Sequence, residues 1–140
     1  MKKRRIKFFA LGGIALSVVV MAFLLSELTL RQLFPEKEMA SMVIQVDKNG
    51  ETASSVQFFS YEAEYGALMN VLGDLHIRFH SFYGNYYEID GEVYRITFYD
   101  KQGQELKTIV LNNPWVHCNH MTFRASNQEM ISLVKLLLER

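Results

Sequence analysis

Cysteine occurs once in 140 residues, as Cys118, so an intramolecular disulfide is excluded. No cysteine stands at the end of the N-terminal apolar run either, which removes the acceptor for a lipid-modified N-terminus. Several reaction signatures are missing: there is no Gly-x-Ser-x-Gly elbow, phosphate loop, dinucleotide fingerprint or His-Glu-x-x-His. Ser, His and Asp occur without a spacing that favours a triad. No catalytic residue and no cofactor is therefore assigned, and the chain reads as a non-enzyme. Fifteen basic and fifteen acidic side chains cancel, and without a basic patch nucleic acid is not expected as a partner.

Charge is also missing locally. Between Lys7 and Glu27 lie nineteen uncharged residues, mostly Phe, Leu, Val, Ala and Ile. As a helix they would cover about 28 Å, close to the hydrocarbon thickness of a bilayer. Five of the fifteen Lys and Arg side chains sit in the first seven residues, so a +5 tail joins a −5 remainder. The positive-inside rule puts that tail in the cytoplasm and the remainder of the chain outside. A cleaved signal peptide has a similar start, but its apolar region is shorter and ends at a small-x-small site, which Phe23-Leu24-Leu25-Ser26 does not provide. The expectation is a basic tail and signal anchor over residues 1–34, touching membrane lipid through residues 8–26. A linker over 35–41 and an extracytoplasmic domain over 42–140 complete the expected organisation.

Beyond the anchor, Leu28, Leu30, Leu33 and Phe34 continue an apolar stripe that predicts helix up to Pro35. Met42 to Val46 and Thr52 to Phe59 predict a hairpin, with Asp47-Lys48-Asn49-Gly50 as a type I turn. Ser60 predicts the cap of a helix carrying Ala63, Leu68, Met69, Val71 and Leu72, closed by Gly73 at the C′ position. Leu75, Ile77 and Phe79 alternate with His76, Arg78 and His80, as in a half-buried strand. A short strand over residues 86–89, a strong one over Val93 to Tyr99, a return over Leu106 to Leu111 and one more from Trp115 to Phe123 complete the β-content. Ser126 and Glu129 form a capping box before a helix that buries Met130, Ile131, Val134, Leu137 and Leu138. The economical packing is α+β: a small antiparallel sheet with two helices on one face, after the transmembrane helix.

This combination resembles small membrane-anchored or lipoprotein-type extracytoplasmic proteins of Gram-positive bacteria, families mostly of unknown function. It rests on the basic single-spanning N-terminus, the hairpin, the Ser-capped helix, the meander Val93-Tyr94-Arg95-Ile96-Thr97-Phe98-Tyr99-Asp100-Lys101-Gln102-Gly103 and the Leu-rich closing helix. The resemblance implies an extracytoplasmic location and transfers no activity.

Histidine supplies the only concentrated chemistry. His76 and His80 share a strand face, and Cys118 and His120 are also two-apart neighbours, so the four could converge as a metal- or thiol-dependent site. The competing role is plain: the histidines form the wet side of a strand and a loop, and Cys118 is a small buried apolar residue. Phe82, Tyr83, Tyr86, Tyr87 and Trp115 suit either a core or a recognition surface for a protein, peptide or envelope component. A non-enzymatic binding role at the cell envelope is the expected function, with the metal or thiol site as its alternative.

Overall fold

The computed structural model describes residues 2–34, 36–82, 91–125 and 128–139, with side chains from residue 12 onward. Among the described residues eight strands form one antiparallel sheet: β1 (Glu27–Thr29), β2 (Ser41–Lys48), β3 (Glu51–Phe59), β4 (His76–Phe82), β5 (Glu92–Tyr99), β6 (Glu105–Asn112), β7 (Trp115–Cys118) and β8 (Met121–Arg124). Their spatial order is β1-β4-β8-β7-β6-β5-β2-β3. Among the described residues three α-helices accompany them, α1 (Lys2–Leu25), α2 (Ala63–Gly73) and α3 (Gln128–Leu138).

Alternation decides which face is buried. Ile44, Ile96 and Ile109 stand opposite one another on β2, β5 and β6, and Tyr94, Leu111, Val116 and Phe123 continue the same face across β7 and β8. Leu68 and Leu72 of α2 and Met130 and Val134 of α3 complete that core. The fold is therefore α+β with α2 and α3 against one face of the sheet, and the sheet is larger than the sequence pattern suggested.

The segment after α1 departs from the expected helix. Residues 27–29 pair with β4, and a 3-10 turn over Leu30–Leu33 sends Leu30 into the core with 0% exposure. The Leu30 amide donates to the Leu75 carbonyl at 2.9 Å, and the Lys107 ammonium donates to the Leu33 carbonyl. Arg31 grips Glu36 at 2.9 Å and reaches Asp74 at 3.5 Å, beside the C-terminal end of α2 where a cation is favoured. Gly73 makes room for it: a Cβ there would meet the Arg31 guanidinium at 2.9 Å. Gly73 is thus the last helical residue and a close-approach glycine, in place of the C′ role, with Asp74 as the cap. Met39 is also buried, so the stretch expected as a linker contributes to the core.

Turn chemistry accounts for other differences. Lys48 pairs with Glu51, leaving Asn49 (φ 53°) and Gly50 (φ 84°) as a two-residue turn with both central φ positive. That is the turn whose twist matches a hairpin, and it releases Asp47 to pair with Arg95 at 3.0 Å and to accept from the Thr52 hydroxyl at 2.9 Å. Asp100 opens the turn between β5 and β6, its carboxylate accepting the Gln102 and Gln104 amides, each at 2.8 Å. The stretch from Trp115 to Phe123 is two strands, reversed at Asn119 (φ 53°) and His120 (φ 59°) without any glycine to signal it. Helix α2 begins three residues after Ser60, with Glu62 at the cap and Ala63 exposed; the Glu62 carboxylate accepts the Phe59 amide at 2.6 Å. The strand expected over 86–89, the cap at Ser126 and the stop at Pro35 lie outside the described residues.

The anchor expected over residues 8–26 falls on α1. Among the described residues no helix is long and apolar enough to cross a membrane.

Candidate functional site

The outward face of the sheet carries the chemistry. In β4, Ile77 goes into the core, which turns His76, Arg78 and His80 outward. In β8, Phe123 is buried and Arg124 is exposed. Register then aligns one row across four strands: Glu27 opposite Arg78, Arg78 opposite Arg124, and Arg124 opposite Trp115. A bulge between Phe79 and Ser81 carries His80 toward Trp115, with ring centroids 4.6 Å apart in an edge-on contact.

A cleft of about 660 Å³ opens over this row, lined among others by Glu27, His76, Arg78, His80 and Arg124. Among the described residues neither Arg78 nor Arg124 makes an ion pair. Two guanidinium groups therefore face each other across adjacent strands with a single carboxylate, Glu27, in the row. This arrangement can hold an anion.

The four residues considered as a metal or thiol site separate. His76 and His80 line the cleft, Cys118 faces the core at 3% exposure, and His120 sits at the hairpin tip. Among the described residues no three His, Cys, Asp or Glu side chains lie close enough to hold a metal ion. Burial pushes the Cys118 thiol up against a smaller opposing pull from Lys107, the reverse of an activated thiolate. Burial also lowers the His117 imidazole, whose Nδ1 lies 3.0 Å from the Thr122 hydroxyl. Of the aromatic group, Phe82 is exposed at the end of β4 and Trp115 is half-buried; Tyr83, Tyr86 and Tyr87 lie outside the described residues.

The arginine pair was not singled out from the sequence. Strand alternation already set Arg78 outward between two histidines, but its partner Arg124 is distant in the chain and belongs to a strand that has to be paired first.

A second charged cluster is structural. Glu92 accepts the Tyr94 hydroxyl at 2.7 Å and pairs with Lys48 and Lys135, each at 3.0 Å, tying β2 and α3 to β5. The Tyr94 bond, then those to Lys135 and Lys48, hold the Glu92 carboxyl down at about 2. Tyr94 is pushed up, by burial first and then by Glu92. A carboxyl depressed in the folded state gives stability that is present above its unfolded pKa and lost as pH falls toward its folded one. Acid should therefore loosen the domain between about pH 4.5 and 2. Glu92→Gln should flatten that part of the stability profile and cost about 1 kcal/mol at neutral pH, since the side chain is 32% exposed and solvent screens it. Chemical denaturation repeated across the acid range reads both effects.

The chain matches no family model, no curated protein and no solved structure.

Proposed function

We propose that this protein is a membrane-tethered, extracytoplasmic, non-enzymatic binding module, with α1 in the bilayer and the cleft over Arg78 and Arg124 as its binding site. The observation that carries the tether is the surface of α1. Ile14, Leu16, Val18, Val19, Val20, Met21, Phe23 and Leu25 are all exposed, between 40% and 73%, on every side of the helix. A contiguous apolar surface of that kind is costly in water and is satisfied by lipid. The sequence extends the uncharged run back to Phe8 and flanks it with basic residues at one end only, which supports an N-terminus in the cytoplasm. The nearness of the cleft to the end of α1, through Glu27 of β1, supports a ligand that belongs to the envelope.

Protease added to intact cells should remove the domain and leave a membrane-bound stub ending soon after residue 26. Protection of the domain, with digestion only after lysis, would reverse the orientation. Release of the intact chain by a carbonate wash would remove the tether altogether.

A further inference from the structure

Resting on the tethered module just proposed, we infer that the cleft takes a phosphate group, bound between Arg78 and Arg124. Like charges directly opposite each other on neighbouring strands are destabilising. Arg78 and Arg124 are such a pair, and among the described residues no carboxylate pairs with either. The other arginines with ion pairs show the contrast: Arg31 holds Glu36 and Asp74, and Arg95 holds Asp47. The two left unpaired in this way share one row and one cleft.

The chemistry favours phosphate. A guanidinium presents a planar fork of donors, and two forks on one row can each take oxygens of a single tetrahedral anion, which has more acceptor positions than one carboxylate. His76 and His80 add ring nitrogens to the lining. The lone carboxylate of the row, Glu27, stands opposite Arg78, so two arginines and one glutamate leave the row with a net positive charge. Phosphate could reach the cleft from a lipid headgroup or from a soluble phosphate ester, and both present the same group to the arginines.

Trp115 is the only tryptophan and stands opposite Arg124, so its fluorescence reports on the site. The full chain in maltoside micelles, which contain no phosphate, is titrated with glycerol 3-phosphate; in a parallel arm the chain in galactolipid vesicles is compared with and without phosphatidylglycerol. A saturable change in Trp115 emission is expected in at least one arm, weakened about tenfold or more by Arg78→Gln or Arg124→Gln and unchanged by Lys101→Gln in an exposed turn. Response to phosphatidylglycerol alone assigns the lipid source, and response to glycerol 3-phosphate the soluble one.

In phosphate-free buffer either arginine substitution should leave the melting temperature unchanged or raise it, because it relieves repulsion. A clear fall would make the arginines structural and overturn the proposal. So would the absence of a saturable response in both arms, or a response from the Arg78→Gln and Arg124→Gln variants equal to that of the native chain. Those results would leave the tether standing, because its test is the protease accessibility of intact cells.

Discussion

Phe98→Ala should lower the stability of the folded domain by about 3–5 kcal/mol, read from urea unfolding of the full chain in detergent. Phe98 lies on the central strand β5 and has no exposed surface. Its ring packs against Phe34, 5.4 Å away and tilted by 50°, so truncation opens a cavity and frees a residue of the incoming segment as well. Phe82→Ala provides the comparison, because that ring is 60% exposed and its loss should stay within about 1 kcal/mol. Equal losses at both positions would mean that the burial pattern of the sheet is wrong.

A chain starting at Ser26 should fold, and one starting at Met42 should not. The shorter chain lacks β1, the buried Leu30 and Met39, the Arg31 clamp and the carbonyl that Lys107 bonds. Two buried aliphatic side chains alone are worth roughly 2–5 kcal/mol each, which together approaches the 5–15 kcal/mol that holds a typical domain. Circular dichroism and the presence of a cooperative melt distinguish the two chains. Leu30→Ala in the full chain is the graded version and should cost about 2–5 kcal/mol.

Much of the architecture follows from period. The alternation of Tyr94, Ile96 and Phe98 gives β5 its buried face, and that of His76, Arg78 and His80 gives β4 its outer one. The spacing of Met130, Ile131 and Val134 gives α3 its core stripe. Local signals misled where tertiary pairing decided the outcome. Leu28, Leu30, Leu33 and Phe34 have helical spacing, yet the free edge of β4 draws residues 27–29 into the sheet. At Asn49-Gly50 the strand twist selects a turn with positive φ over the type I turn that Asp47 would have started. Asn119 and His120 make a reversal with no glycine, so one expected strand became two.

The candidate site was half legible. Outward placement of His76, Arg78 and His80 needs only alternation, whereas the approach of Arg124 depends on the register of β4 against β8, which no local window contains. Cys118 shows the opposite limit. Its two-residue spacing from His120 suggested a shared face, and the hairpin turn between them put one in the core and the other at the tip.

One residue, Ser26, separates the end of α1 from the start of β1, and its amide is still bonded to Ala22 and Phe23. A coil of a dozen residues would let a tethered domain roam about 20 Å from its root. A single residue leaves almost no slack, and β1 is already fixed in the sheet. Held that way, the domain would be a fitting on the bilayer surface, with the cleft at constant height. A lipid ligand would reach it along the plane of the membrane and a soluble one by diffusion to the surface, while partners fixed deeper in the envelope would lie beyond its reach.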